Sequence, residues 1–128
     1  MKIGNIEIQD YLNQAEENID EMYNQILEQV KVCPNYLDGT WLDGNATWLE
    51  VKEMLKYRKN IIDWLPMEKD AAVLELMSGC GSISGGLASK VKNLTCLEVS
   101  KTKSFINAYR NNQQKNMSIY ISLFREFL

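Results

Sequence analysis

Leu74-Glu75-Leu76-Met77-Ser78-Gly79-Cys80-Gly81-Ser82-Ile83-Ser84-Gly85-Gly86, in one-letter code LELMSGCGSISGG, decides how this chain is read. Ala72 to Leu76 is a short apolar run with a charged turn before it and glycines after it, which predicts a strand. Ile83 to Lys90 follows as a helix weakened by Gly85 and Gly86. A glycine-packed turn from strand into helix lets backbone approach a ligand where no Cβ intervenes. Downstream, Asn93 to Val99 reads as a second strand, Lys101 to Gln114 as a helix with Phe105, Ile106, Ala108 and Tyr109 inward, and Met117 to Ser122 as a third strand. Alternation of strand and helix implies a parallel sheet with right-handed crossovers, an α/β fold.

Upstream the pattern is helical. Ile3, Ile6 and Ile8 suit a short extended arm. From Asp10 as N-cap, Tyr11, Leu12, Ala15, Ile19, Met22, Tyr23, Ile26, Leu27 and Val30 recur at helical spacing, and Pro34 bars continuation, so a helix is expected over about 10–32. Residues 33–46 read as loop, with turns at Gly39 and Gly44. Thr47-Trp48-Leu49-Glu50 is a capping-box signature. It opens a second helix over about 47–65 carrying Trp48, Val51, Leu55, Ile61, Ile62 and Leu65, with a break expected near Lys56–Lys59 and an end at Pro66. The division expected is a helical region, 1–66, and a cofactor-binding unit, 67–128.

Composition narrows the partners. The chain has 128 residues and net charge −3, with no histidine and three cysteines. Cys33, Cys80 and Cys96 lack CxxC spacing, so neither a zinc site nor a disulfide framework is expected. No apolar run approaches a membrane span, and a cytoplasmic location is expected. Acids cluster toward the start (Glu7, Asp10, Glu16, Glu17, Asp20, Glu21, Glu28) and bases toward the end (Lys90, Lys92, Lys101, Lys103, Arg110, Lys115, Arg125). The bases are scattered without aromatic interleaving, which disfavours a nucleic-acid partner.

The glycine turn is tested against three ligand classes. A nucleoside-triphosphate loop needs GxxxxGK, and no lysine stands there. A dinucleotide fingerprint needs GxGxxG, but Ser84 occupies the third position and Gly85 comes one place late. S-adenosylmethionine, a sulfonium cation without phosphate, is held by an acid-x-Gly-x-Gly-x-Gly loop, here Glu75-x-Met77-x-Gly79-x-Gly81. A carboxylate at that place suits a cation better than pyrophosphate. Glu98, at the end of the second strand, suits the two hydroxyls of a ribose in either nucleoside cofactor. Cys80 reads either as a reactive thiol at a helix start or as a small loop residue. Tyr57 and Arg58 either reach the cofactor or serve packing and surface.

The segments RKNIIDWLP (Arg58–Pro66), AVLELMSGCGSISGGLASKVKNLTCLEVSK (Ala72–Lys101) and SFINAYRN (Ser104–Asn111) resemble the start of class I S-adenosylmethionine-dependent methyltransferases. The likeness is strongest to bacterial, often clostridial, domains that accompany surface-polysaccharide glycosyltransferases. It covers about half the chain. The resemblance implies an incomplete Rossmann-like sheet in the order 3-2-1, and S-adenosylmethionine as cofactor. Glu75, Met77, Ser78, Gly79, Cys80 and Gly81 would surround its methionine and ribose parts. Glu98 would hold the ribose, and Val99 and Ser100 would lie near the adenine. Met77 stands where the family carries glycine or alanine, in space meant for the cofactor. Family members continue through further strands that build the acceptor site, so no catalytic residue is assigned, and the chain is expected to be a fragment or a shortened protein. With the fourth strand lacking, the Val73–Leu76 edge is expected either to lie under a helix or to pair with a second copy; the first helix is another candidate interface. The competing reading is a non-catalytic Rossmann-like module that binds a partner; a dinucleotide-binding domain is the third.

Overall fold

The computed structural model describes residues 1–13, 19–36 and 46–127. Among the described residues, twelve short elements build one mixed sheet with every helix but the last on one side. They are β1 (Lys2–Ile3), β2 (Ile6–Asp10), α1 (Glu21–Val32), α2 (Trp48–Met54), a 3-10 turn (Lys56–Lys59), α3 (Asn60–Asp63), β3 (Ala72–Leu76), α4 (Ser84–Ala88), β4 (Asn93–Glu98), α5 (Lys101–Arg110), β5 (Met117–Ile121) and α6 (Phe124–Phe127).

Among the described residues the sheet has five strands in the order β1-β2-β5-β4-β3. The three strands expected from the sequence lie side by side in the order expected. Each is parallel to the next, Leu74 opposite Thr95 and Cys96 opposite Ile119. The extended arm is more than an arm. Glu7 to Asp10 of β2 pair parallel with Ser118 to Ile121 and supply the next strand outward, and β1 folds back on β2 antiparallel. Gly4, at φ 57°, makes that hairpin turn against the Asn112 carbonyl, where a Cβ would collide.

Strand side chains alternate between faces. Ile6, Ile8, Leu94, Cys96, Met117, Ile119 and Ile121 are buried under Ile62, Leu87, Ala88, Val91 and Ala108 from the helices. A second cluster, Tyr23, Ile26, Val30, Met54, Cys80 and Ile106, joins α1 to α5 and the glycine turn. On the opposite face Tyr11 stacks on Tyr120 and Phe127 leans against it. At the β3 end of that face Leu74 and Leu76 are 40% and 48% exposed. β3 ends the sheet, and Ala72, Leu74 and Leu76 are exposed along it.

The first helix starts later than its spacing suggested. The Asp10 carboxylate accepts from the Leu12 and Asn13 N–H groups and turns the chain at the end of β2. Asp20, not Asp10, is the N-cap, taking the Met22 N–H at 2.9 Å. Residues 14–18 of the expected helix, and the turns at Gly39 and Gly44, lie outside the described residues. The capping box at Thr47 and Glu50 is formed in both directions. The second helix breaks at the expected place, into α2, the 3-10 turn and α3, and its inward residues differ. Ile62 is buried as expected and Met54 is buried in addition, whereas Trp48 and Ile61 stand exposed.

Candidate functional site

The glycine turn is held by its backbone pattern. Met77, Gly79 and Gly81 all take positive φ, at 56°, 58° and 79°. Alternating left-handed residues form a concave nest of N–H groups. The Gly79 N–H points at the Glu98 carboxylate, 2.8 Å away. The other Glu98 oxygen accepts from the Val99 and Ser100 N–H groups at 2.9 and 3.0 Å. One carboxylate therefore ties the turn after β3 to the two residues that lead into α5. At Gly79 nothing lies within 4 Å of where a Cβ would stand, so that side of the turn is open. At Gly81 a Cβ would overlap the Asn107 amide, and at Gly86 it would press on Ile62 and Lys59. These glycines let the helices close on the turn.

Glu75 has a different surrounding. It is buried on the helix-covered face, and the Ser84 hydroxyl donates to it at 2.5 Å. Asn107 Nδ2 donates to Ser84 Oγ at 3.2 Å, and the Cys96 thiol sits 4.0 Å from the carboxylate. Burial pushes the Glu75 carboxyl up to about 7, with the Ser84 hydrogen bond pulling the other way. Ser78 Oγ is buried beside the Cys96 thiol, with no nitrogen or oxygen partner among the described residues. Cys80 is buried too, and burial, then Glu53, pushes its thiol up to about 12. A thiol so placed stays protonated, which removes the reactive-thiol alternative.

Arg110 fastens the turn from behind. Its guanidinium donates to the Cys80 and Glu53 carbonyls at 2.8 and 3.0 Å and to the Met54 carbonyl at 3.1 Å. Ser82 Oγ donates to the same Glu53 carbonyl. Arg58 donates to the Lys52 carbonyl and so serves the end of α2.

At the C-terminal ends of β3, β4 and β5 lies an apolar cavity of about 240 Å³, lined by Leu76, Met77, Leu97, Glu98, Val99, Ser122 and Phe124. Ligands of open α/β sheets settle in the crevice outside the carboxyl ends of the strands. Of the sequence-derived candidates, Met77, Glu98 and Val99 meet at this cavity, and Gly79 reaches it through Glu98. Glu75, Ser78, Cys80, Gly81 and Ser100 form the frame behind it; Ser100 caps α5 through the Lys103 N–H. Sequence reasoning missed Leu76, Leu97, Ser122 and Phe124. The crevice rule applied to the end of the third strand points to Ser122 and Phe124. A polar groove of about 330 Å³ behind α4 is lined by Lys59, Lys90 and Arg110. There the Lys90 ammonium is spent on the Ile62, Asp63 and Leu65 carbonyls, an arrangement that caps α3.

Among the described residues no helix is long and apolar enough to cross a membrane, and no cluster of three metal-ligating side chains occurs. No family model and no curated protein matches this sequence. Solved structures do. A phosphoethanolamine N-methyltransferase of Haemonchus contortus, in complex with phosphoethanolamine and S-adenosylhomocysteine, is similar with a TM-score of 0.51 at 18% identity. The similarity covers 80% of this chain and 21% of that one. YjhP of E. coli is similar over 52% of this chain and 29% of its own, with TM-score 0.44 and 15% identity. The chain thus carries the class I methyltransferase fold over a length that is a small part of the first neighbour.

Proposed function

We propose that this chain is the cofactor-holding part of an S-adenosylmethionine-dependent methyltransferase. The observation that carries the reading is the pairing of Glu98 with the Gly79 N–H at the rim of the apolar cavity. A loop that binds phosphate keeps its N–H groups for the ligand. Here the open N–H of the turn faces the protein's own carboxylate, and a pyrophosphate at that place would meet Glu98 as a like charge. A cofactor with a cationic centre and a ribose has no such conflict. The Glu98 carboxylate would accept from the ribose hydroxyls. Val99, Phe124, Leu76 and Leu97 would enclose the base, in a cavity just below the ~300 Å³ at which small-molecule sites usually begin. Met77, 87% exposed at the mouth, would border the methionine end. Glu75, against the expectation from its position, would act through the frame and touch no ligand. Methyl transfer is an in-line displacement at the sulfonium, so the protein's contribution is to hold and orient.

Calorimetric titration tests the reading with S-adenosylmethionine, S-adenosylhomocysteine and NAD. Both adenosyl compounds are expected to bind and NAD to give no heat. Phe124→Ala, at an exposed position, is expected to weaken binding several-fold without disturbing the fold. Heat from NAD alone, or from none of the three, sinks the proposal.

A second reading, a partner-binding module, is favoured by one feature, the bare β3 edge with Leu74 and Leu76 in the open.

A further inference from the structure

Glu75 and Glu98 bracket the glycine turn from one face of the sheet. Glu75 lies opposite Cys96, and Glu98 stands two residues further along β4. Both side chains are buried, and neither joins an ion pair among the described residues. Glu98 is satisfied by three backbone N–H groups. Glu75 has much less, the Ser84 hydroxyl at 2.5 and 3.1 Å from its two oxygens and the Cys96 thiol at 4.0 Å. The elements around it bring no positive charge. β4 presents Cys96, the turn presents Ser78 beside that thiol, α4 presents Ser84, and α5 presents Asn107, which holds Ser84. Burial raises the Glu75 carboxyl to about 7 against the pull of Ser84, so it is about half ionised at neutral pH.

Packing does not require that charge. A glutamine would accept from Ser84 equally well and would carry none. A buried carboxylate is costly unless it is paired, and a strongly perturbed one beside a ligand crevice marks a functional group. Within the cofactor reading the missing pair is the ligand. S-adenosylmethionine carries a positive sulfur and S-adenosylhomocysteine a neutral one. The two share the other groups that the turn and Glu98 would hold, so those contacts do not separate them. We propose that Glu75 is the specificity residue of this site: from behind the glycine turn its buried carboxylate favours the cationic cofactor over the neutral product. It acts across the turn by charge, without touching the ligand, and it gives no hold on the product. The inference rests on the cofactor reading.

A bound cation stabilises the ionised carboxyl, so affinity for S-adenosylmethionine rises as Glu75 loses its proton, and binding near neutral pH releases a proton. The amino groups of both compounds titrate from about pH 8 upward, so the range to use is pH 5.5–7.5, with Glu75→Gln as reference. Calorimetry is expected to show affinity for S-adenosylmethionine rising about fourfold across that range, and for S-adenosylhomocysteine staying level. Titrations in two buffers of different ionisation enthalpy are expected to show about a third of a proton released near pH 7 with the first compound and none with the second. In Glu75→Gln both compounds are expected to bind, with neither the rise nor the release. Ser84→Ala removes the hydroxyl that favours the ionised form and is expected to move the rise to higher pH. Equal pH profiles for the two compounds in the parent protein, or a rise that survives in Glu75→Gln, overturn the assignment and leave the cofactor reading standing. No heat from either compound removes both.

Discussion

Two carboxylates end neighbouring strands, and their neighbours give them opposite work. Glu98 accepts three backbone N–H groups; Glu75 has a serine hydroxyl, a thiol and no cation. The Glu75 carboxyl is raised from 4.5 to about 7 in the folded protein. Between those values the folded state holds a proton that the unfolded chain has released. Stability is therefore greatest below about pH 4.5 as far as this group is concerned, and falls as pH rises to about 7. Glu75→Gln, which stays neutral and keeps an acceptor for Ser84, is expected to raise the melting temperature at pH 8. At pH 5 it is expected to change it little; the gain at pH 8 is on the order of 3 kcal/mol. A parallel rise at both pH values would show that ionisation is not the cause. Met77 offers a second test. At φ 56° a side chain with a Cβ is strained by roughly 1–2 kcal/mol. Its side chain is almost wholly exposed, so little packing is lost with it. Met77→Gly is expected to stabilise by about 0.5–1 kcal/mol after the added entropy of a glycine in the unfolded chain, read as a higher urea midpoint. The sequence revealed that carboxylates mattered here. It did not reveal which one faces the cavity: Glu75 lies opposite Cys96, two residues short of Glu98 on the same face, and that offset between strands is not written in either strand alone.

Strands β3, β4 and β5 were legible because each is a short apolar run between turn residues, and a five-residue run has little freedom in where it ends. The first helix was misjudged for a physical reason. Tyr11 and Leu12 keep helical spacing with the residues that follow, yet Tyr11 is spent on stacking against Tyr120. Asp10 caps a turn in place of a helix; a short polar side chain serves either purpose equally well. The link between α2 and the glycine turn was invisible, since it runs from the Arg110 side chain to backbone carbonyls, and carbonyls have no sequence signature. Those bonds make Arg110 the strongest tie between the two elements. Arg110→Ala leaves the carbonyls of Glu53, Met54 and Cys80 without these donors and is expected to destabilise by about 2–4 kcal/mol. Arg110→Lys is expected to recover only a small part, because an ammonium does not reproduce the planar fork. Urea unfolding of the two variants measures both effects, and a lysine variant as stable as the parent contradicts the clasp.

At the scale of the molecule, the sheet is built from both ends of the chain, which bears on the division at residue 66 expected from the change from helical to strand–helix pattern. Ile3, Ile6 and Ile8 belong to the same core as Leu94, Ile119 and Ile121, and Ile62 joins them from α3. Burying three isoleucines is worth roughly 1.5–3 kcal/mol each, an upper estimate because the unfolded chain is itself partly collapsed. Their sum, about 4.5–9 kcal/mol, rivals the ~5–15 kcal/mol that is the entire stability of a typical domain. A piece spanning 67–128 would also leave the outer edge of β5 bare, beside the edge of β3 that is bare already. With two unprotected edges and an uncovered isoleucine layer, association replaces folding as the outlet for the apolar surface. Residues 67–128 expressed alone are therefore expected to show no cooperative thermal transition and to sediment as aggregate. The full chain is expected to unfold in one step. A soluble 67–128 fragment with a sharp transition would show instead that the β1–β2 hairpin is an accessory to a unit complete without it.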